Sequence, residues 1–307
     1  MNMNQRQLQM FVILAAEQHF CRASELLHIS QPALSRAIQE LESQLGVSLL
    51  NRTTRQHALT PEGQQFLPMA QRLLRDMAQI TDDLRAQATG VRGTVTVAHG
   101  LAFGSVLLPA VLERFQALYP LVQLRLIDAN SGGITTRVQR AEVDIGIGSL
   151  LGDTAALHCE CVVSARLGLL WPPGRAGQTD PMAPELPLLR EPDDTSIMSL
   201  LRMRGSPLVA RMQQGIEVSN LAMQLALVQA GLGVAVVSAL GASHPLARNL
   251  PFEPLEPVIE REIFFMTQRT RTLSAPASAF LATLREAFQP NGVTWPNLHP
   301  LVRLGYR

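Results

Sequence analysis

Strand and helix patterns alternate through the last two-thirds of the chain, and this alternation constrains the fold more than any other feature. Aliphatic runs over 94–98, 122–127 and 143–147 are separated by helical patterns over 106–117 and 134–140. A second set has strand patterns over 167–171, 186–189, 215–218, 234–237 and 262–267. Its helical patterns cover 196–204, 221–230 and 275–288. Because strands that alternate with helices usually pair in parallel, this region is predicted to be an α/β domain.

Small and polar residues follow the predicted strands, where an α/β sheet binds its ligands. The carboxyl ends of the strands face helix N-termini, which offer free N–H groups. The candidate ligand-binding residues are Gly100, Leu101, Ala102, Phe103, Ser131, Ser149, Ser196, Ser219 and Asn220. Simple helix capping is the alternative explanation for the serines and for Asn220. The apolar loop 101–103 favours a ligand that carries an apolar or aromatic part beside a carboxylate-like group.

An amphipathic helix is predicted to begin after Ser30, which is a good N-cap, and to end near Leu45. Pro32 fits the first turn, where its missing N–H costs nothing. The apolar stripe consists of Leu34, Ile38, Leu41 and Leu45. The opposite face carries Gln31, Ser35, Arg36 and Gln39. These amide, hydroxyl and guanidinium groups are the kind that bind base edges and phosphates in a DNA major groove.

The segments around this helix predict a winged helix-turn-helix. Helical patterns over 5–18 and 22–27 precede it, and a tight turn separates the two short helices. Two short strands, at 47–50 and 57–60, then flank an exposed loop that forms a wing, although a solvated turn is the simpler alternative. The candidate DNA-binding residues are Ser30, Gln31, Pro32, Ser35, Arg36, Gln39, Arg52, Thr53, Thr54 and Arg55.

The charge of residues 1–90 only partly supports the prediction that they bind DNA. The chain carries a net charge of +1, and residues 1–90 hold as many acidic residues as arginines. DNA-binding domains are usually more basic. The arginines must therefore act through their placement, which predicts a modest salt dependence per subunit and a need for several subunits on DNA.

A long helix is predicted from Pro61 to about Ala88, with Thr60 as its N-cap and Glu62 at its positive end. Pro68 is expected to bend it. A heptad seam is formed by Phe66, Ala70, Leu73, Met77, Ile80 and Leu84. Such a seam either packs on its own domain or pairs two chains. Because it continues well past the wing, these six residues are assigned to dimerisation. A dimer would present two recognition helices to a two-fold DNA site.

Residues 1–90 resemble the winged helix-turn-helix of LysR-type transcriptional regulators. The matching motifs are Ala23-Ser24-Glu25-Leu26-Leu27, Ser30-Gln31-Pro32-Ala33-Leu34-Ser35, Leu41-Glu42, Leu45-Gly46, Leu49-Leu50-Asn51-Arg52 and Leu59-Thr60-Pro61-Glu62-Gly63. Two residues depart from the family pattern. Cys21 stands where a Ser or Thr N-cap is frequent, and Leu50 replaces a frequent Phe.

The resemblance implies a DNA-binding domain over 1–60, a linker and dimerisation helix over 61–89 and an effector-binding domain over 93–307. The last domain would have two Rossmann-like lobes around a cleft, like a periplasmic binding protein. Crossover strands near 161–165 and 265–269 would join lobe I (93–161 and 269–290) to lobe II (165–265). The resemblance also implies a homodimer or homotetramer on double-stranded DNA, contact with RNA polymerase and control by a small organic effector.

Other features exclude or weaken rival classes. The sequence holds no hydrolase, zinc-protease or phosphate-loop motif, so no enzymatic activity, metal or cofactor is predicted. Three cysteines and the absence of an export signal or membrane span favour the cytoplasm. Cys159 and Cys161 are interpreted as buried thiols, with a redox switch as the alternative. The tail 290–307 is expected to be poorly ordered. Two alternatives remain: a solute-binding protein, and an α/β enzyme with a DNA-binding appendage.

Overall fold

The computed structural model describes residues 3–51, 58–89, 91–176 and 186–305, with only the backbone described at 75 and 78–89. The chain divides into two compact units, Met1–Arg85 and Ala86–Arg307. Each unit has its own apolar core.

Four helices are found among the described residues of the first unit. They are α1 (Gln5–Glu17), α2 (Phe20–Leu26), α3 (Gln31–Leu45) and α4 (Pro61–Thr89). An antiparallel bridge between Leu50 and Leu59 lies where the two wing strands were predicted. The apolar faces of the helices meet in one core, whose most buried side chains include Phe11, Leu14, Leu34, Leu41 and Leu49.

Two buried polar side chains fix the chain between α3 and α4. The Glu42 carboxylate accepts the backbone N–H of Leu49 at 2.7 Å. The Thr60 hydroxyl donates to the carbonyl of Ser48 at 2.7 Å and accepts the N–H of Gly63 at 3.0 Å. Because a buried polar group is costly unless it is hydrogen-bonded, these residues hold the wing strands against the start of α4.

The start of α2 differs from the prediction. The helix begins at Phe20 instead of Arg22, and its N-cap is His19, which makes no side-chain capping bond. Cys21 therefore lies inside the first turn and is not the N-cap residue. Its exposed thiol donates instead to the side-chain oxygen of Gln31 at 3.4 Å.

The predicted heptad seam divides into two parts along α4. Ala70 is fully buried and Phe66 partly buried in the core of their own domain, where the Phe66 ring lies 5.3 Å from that of Phe11. This corrects the expectation that these two residues face a second chain. Leu73 and Met77 are 40% and 42% exposed. The side chains of Ile80 and Leu84 lie outside the described residues.

In the described part of the second unit, eight strands form the sheet. They are β1 (Gly93–His99), β2 (Val122–Asp128), β3 (Ile145–Gly148), β4 (Leu157–Leu170), β5 (Ala235–Ser238), β6 (Phe252–Pro254), β7 (Glu260–Gln268) and β8 (Val302–Leu304). The order is β2-β1-β3-β7-β4-β5, with β6 and β8 also paired to β4. Strands β1, β2 and β3 are parallel, whereas β7 and β4 run antiparallel to their neighbours.

Helices cover this sheet and complete two lobes. They are α5 (Leu101–Val106), α6 (Leu108–Leu118), α7 (Ser131–Gln139), α8 (Ser196–Met203), α9 (Leu208–Met212), α10 (Leu221–Gln229), α11 (Ala239–Ala242), a 3₁₀ turn (Pro245–Ala247) and α12 (Ala275–Ala287). The long strands β4 and β7 pair from Leu157–Gln268 to Arg166–Glu260 and cross from one lobe to the other. Of the strands predicted at 186–189 and 215–218, only single parallel bridges form, Leu188 to Val234 and Arg190 to Glu217.

The described part of the C-terminal tail, residues 290–305, packs against the rest of the second unit, so the expectation of poor order was wrong. Strand β8 pairs antiparallel with the middle of β4. The Trp295 indole N–H donates to the carbonyl of Leu107 at 3.2 Å, and its ring lies 5.0 Å from that of Phe288. The backbone N–H of His299 donates to the Ser243 hydroxyl. The sequence did not predict this packing, because neither a three-residue strand nor isolated aromatic contacts give a periodic pattern.

Candidate DNA-reading and effector-binding sites

The outer face of α3 carries the predicted base-reading side chains. The Ser30 hydroxyl caps the helix by accepting the N–H of Ala33 at 3.4 Å. Leu34, Ile38 and Leu41 are buried, so the stripe toward the core is fixed. The residues left exposed on this helix include Gln31, Pro32, Arg36 and Gln39, and Ser35 is partly exposed. The arrangement leaves an amide, hydroxyl and guanidinium surface free to enter a groove.

The wing residues Arg52, Thr53, Thr54 and Arg55 lie outside the described residues. The chain on either side of them is held together by a hydrogen bond from the N–H of Asn51 to the carbonyl of Ala58 at 2.9 Å.

One cleft in the second unit brings together eight of the nine predicted effector-binding residues. Its volume is about 310 Å³, within the range of small-molecule pockets. The predicted residues that line it are Gly100, Leu101, Ala102, Phe103, Ser131, Ser196, Ser219 and Asn220. They come from loops that are far apart in the sequence, and both lobes contribute to the lining.

Ser149 is the exception, and its predicted place in the cleft was wrong. It does not line the cleft; its side chain is buried, and its hydroxyl donates to the carbonyl of Glu262 at 2.6 Å. The residue follows β3, as the sequence indicated, but its side chain fastens that strand end to β7. Its role in the structure is therefore to hold the two strands together.

Phe103 lines the cleft but contributes little open aromatic surface. It is 1% exposed, and its ring lies 5.8 Å from Phe288 and 6.2 Å from Phe265. The ring belongs to the apolar core of lobe I. Core packing thus explains Phe103, whereas Leu101 is only partly buried and lines the cleft.

Among the helices that the structure describes, three of eight residues or more begin at the cleft. They are α7, α8 and α10, and their N-caps Asn130, Thr195 and Asn220 each accept one N–H of the first turn. Such a cap leaves earlier N–H groups of the helix without an intrahelical partner. These groups and the helix dipoles favour a negatively charged ligand group.

Charged and amide side chains missed by the sequence argument also line the cleft. They are Asp128, Glu191, Gln224 and Arg261. Asp128 ends strand β2, so the rule used for the loops could have found it. Arg261 and Glu191 follow no local motif, and Gln224 lies within α10. Only the folded chain brings these last three residues together.

Arg261 and Glu191 place opposite charges on the lining of the cleft. The Arg261 Nε–H donates to the Ser196 hydroxyl at 2.8 Å. Burial raises the pKa of Glu191, whereas hydrogen bonds from Thr195 and Gln224 and the charge of Arg261 oppose that rise. Burial also lowers the pKa of Arg261 against the opposing charge of Glu191. The two charges therefore partly neutralise each other.

A hydrogen bond joins the lobes at the cleft. The Asn130 side-chain nitrogen, in lobe I, donates to the Asp194 carboxylate, in lobe II, at 2.5 Å. Because the two residues belong to different lobes, this bond links the lobes at the cleft.

Two other kinds of site are not found. Among the described residues, no three His, Cys, Asp or Glu side chains gather as a metal site requires. In the same part of the chain, no helix is both long and apolar enough to span a bilayer. Cys159 and Cys161 are partly exposed, which corrects their interpretation as fully buried thiols.

Comparisons with known families match both units. Residues 5–64 match the sequence model of the bacterial regulatory helix-turn-helix proteins of the lysR family. Residues 88–289 match that of the LysR substrate binding domain.

Individual relatives agree with this match. The uncharacterized HTH-type transcriptional regulator YfeR of Shigella flexneri is 30% identical over 93% of this chain and 94% of its own length. The HTH-type transcriptional regulator CrgA of Neisseria meningitidis serogroup B is 31% identical over 67% of this chain and 71% of its own.

Solved structures share the fold. The LysR family transcriptional regulator CbnR has a TM-score of 0.67 at 22% identity, covering 92% of this chain and 98% of its own. A full-length variant of OxyR from Pseudomonas aeruginosa has a TM-score of 0.64 at 23% identity, covering 93% and 95%. The predicted fold, a winged helix-turn-helix followed by a two-lobed α/β effector domain, is thus confirmed. The chain belongs to the LysR family of DNA-binding transcription regulators with an effector-binding domain.

Proposed function

We propose that α3 reads bases in the major groove through Gln31, Ser35, Arg36 and Gln39. The observation that carries this assignment is the exposed polar face of α3, set against a fully packed apolar stripe. Ser30 and Pro32 fix the start of the helix at the DNA. Residues 52–55 of the wing contact the phosphate backbone or the minor groove, as the charge and geometry of arginine favour.

The working unit is a homotetramer built from two dimers. Leu73 and Met77 support pairing along α4, because two exposed apolar side chains one helical turn apart continue the heptad spacing. In the second unit, strand β2 lies at the edge of the sheet and exposes Leu126. That edge offers a second self-association surface, which a dimer of dimers needs. We assign DNA binding to residues 1–60, dimerisation to residues 61–89 and effector binding to residues 93–307.

A small organic effector binds in the cleft and shifts the population of tetramer shapes. The lobe-bridging bond from Asn130 to Asp194 supports this mechanism, because a ligand bound beside it favours the closed lobes. The shape of the tetramer then sets DNA bending and contact with RNA polymerase. The protein acts in the bacterial cytoplasm and turns over no substrate; conversion of the bound effector would refute this last point.

Genome-wide footprinting of the full-length protein tests DNA reading. We expect protection of interrupted inverted repeats, and loss of that protection in Gln31→Ala/Arg36→Ala. An Arg6→Ala variant is the matched control, because Arg6 is an exposed arginine on α1 and not on α3. Equal protection by the double variant and the wild type would refute the assignment.

The effector response is tested with Ser131→Ala. Ser131 lines the cleft at the start of α7, far in sequence from the DNA-binding unit. The change should leave operator affinity without effector unchanged and weaken the shift caused by effector. A parallel loss of both properties would argue against a separate sensing cleft.

A further inference from the structure

The cleft contains a buried hydrogen-bond acceptor that has no donor within the described part of the chain. Gln224 is 2% exposed, and its side-chain nitrogen donates to Glu191 at 3.3 Å. This bond fixes the orientation of the amide and leaves its oxygen, Oε1, without a hydrogen-bond partner. Because an unsatisfied buried acceptor is costly, a bound group that donates an N–H or O–H would stabilise this wall of the cleft.

The other lobe presents a negative charge to the same cleft. Asp128 lines it at the end of β2. Burial raises the pKa of its carboxyl, whereas the charge of His99 and a backbone hydrogen bond at Ala129 oppose that rise. Among the described residues, no salt bridge neutralises Asp128. Its carboxylate is therefore open to a cationic group of a ligand.

The same cleft also favours a negative group. The starts of α7, α8 and α10 converge there, with first-turn N–H groups that have no intrahelical partner. Arg261 adds a guanidinium, although Glu191 partly neutralises it. The helix starts are thus the main binding groups for a carboxylate.

We propose that the effector is a small zwitterion, carrying a protonated amine that meets Asp128 and a carboxylate that meets the helix starts. Gln224 Oε1 accepts a further N–H or O–H of the same molecule. The inference rests on the proposed effector-sensing function of this cleft. A dicarboxylate would place a second negative charge beside Asp128, and a simple amine would leave the helix N–H groups without an anion.

Calorimetry on the full-length protein tests the class of ligand. The probes are glycine, L-α-amino acids and ω-amino acids of three to eight carbons. Monocarboxylates, primary amines and dicarboxylates of matching length accompany them. We expect at least one zwitterion to bind about tenfold or more tightly than its matched acid and its matched amine, since each charge-assisted contact is worth about one such factor.

Two substitutions locate the binding. Asp128→Asn keeps the volume of an exposed side chain. It should weaken binding of the zwitterion about tenfold and leave binding of the matched monocarboxylate unchanged. Gln224→Met removes the unpartnered oxygen and should also weaken the zwitterion, with the melting temperature reporting any loss of fold. Glu113→Gln, an exposed acid on α6 outside the cleft, is the control.

Each outcome decides the proposal. Equal binding of a monocarboxylate or dicarboxylate overturns the zwitterion class but leaves small-molecule sensing in place. Failure of every zwitterion to bind also overturns the class, and the footprinting assay then reports on DNA reading independently. Zwitterion binding that Asp128→Asn leaves unchanged places the amine elsewhere and refutes the assigned contact.

Discussion

The DNA-reading face of α3 and the cleft of the effector domain are built in opposite ways. The first is drawn from consecutive turns of one helix, between Gln31 and Gln39. The second is drawn from loops and strand ends spread from Gly100 to Ile263. A helix repeats its geometry every 3.6 residues, so its surface follows from local sequence, whereas a cleft exists only after distant strands have paired.

This difference predicts how each region responds to change. A substitution on the exposed face of α3 removes one contact and leaves the fold intact. A change in the effector domain can act at a distance, because the same strands that carry the cleft residues also hold the lobes together. Strand β4 is the clearest case, since it pairs with β5, β6, β7 and β8.

Deletion of residues 291–307 should have the largest effect and damage only the second unit. The deletion removes β8 and the Trp295 contacts with Leu107 and Phe288. We expect a loss of about 3–5 kcal/mol of unfolding free energy from the apolar area exposed. Scanning calorimetry should show the effector-domain transition lowered by about 10 °C and the transition of the first unit unchanged.

A matched variant separates packing from charge in this tail. Arg303 is mostly exposed and lies 3.7 Å from Glu260, so Arg303→Gln should change stability by no more than about 0.5 kcal/mol. If the deletion leaves both transitions in place, the tail does not stabilise the lobes. If both transitions fall together, the division into two independent units is wrong.

The exposed apolar residues Leu73 and Met77 of α4 combine features of both regions. They lie on one helix, as the DNA-reading face does, but they become buried only if a second chain packs on them. Leu73→Asp should raise the dimer dissociation constant about tenfold or more, since a carboxylate in an apolar seam is costly to bury. Sedimentation equilibrium measures this change, and circular dichroism checks the fold. Arg72→Gln, at the neighbouring exposed position, should leave association unchanged. An unchanged constant in Leu73→Asp would exclude this seam.

The sequence was sufficient for the fold wherever the periodic pattern was long. The apolar stripe of α3 and most of the predicted strands and helices of the second unit are present in the structure. The exceptions are 186–189 and 215–218, which form only single bridges. Patterns failed where tertiary contacts decide. Phe66 and Ala70 fit a heptad seam but pack on their own domain, and the tail at 290–305 gave no pattern although it forms β8.

The cleft was only partly predictable, for a related reason. Loop positions after strands identified Ser131 and Ser196, because topology alone places those loops together. Topology does not fix where a side chain points, so Ser149 was wrongly assigned to the cleft. Arg261 and Gln224 reach the cleft from within a strand and a helix, where no loop rule applies.

A single change on α3 should alter specificity more than affinity. Gln31→Ala removes an exposed amide that can bind one base edge, so discrimination at one operator position should fall by about 1–2 kcal/mol. Non-specific DNA affinity and the melting temperature should stay the same. Competition binding with operators substituted at each position measures this, with Gln5→Ala on α1 as the control. A uniform loss across all operators would instead identify Gln31 as a phosphate contact.

The smallest effect expected is a pH-dependent one at the crossover strand β4. Glu160 accepts from Arg285 Nε at 3.0 Å and from a second guanidinium nitrogen of Arg285, which joins β4 to α12. These bonds lower the pKa of Glu160 from 4.5 against the opposing effect of burial. A carboxyl with a lowered folded pKa stabilises the fold above pH 4.5, and that contribution is lost as pH falls through the folded pKa.

Glu160→Gln should therefore cost about 1 kcal/mol of unfolding free energy at about pH 7, and the gap from wild type should close below about pH 4.5. Urea unfolding at a series of pH values measures both. Glu286→Gln is the control. The Glu286 carboxylate lies 2.7 Å from a guanidinium nitrogen of Arg114 on α6, but this pair is more exposed and should contribute less to stability. A gap that is constant with pH would mean that Glu160 acts through packing. That result would remove charge from the forces that hold α12 to the crossover strand, leaving the apolar contacts of α12 with lobe I as the connection.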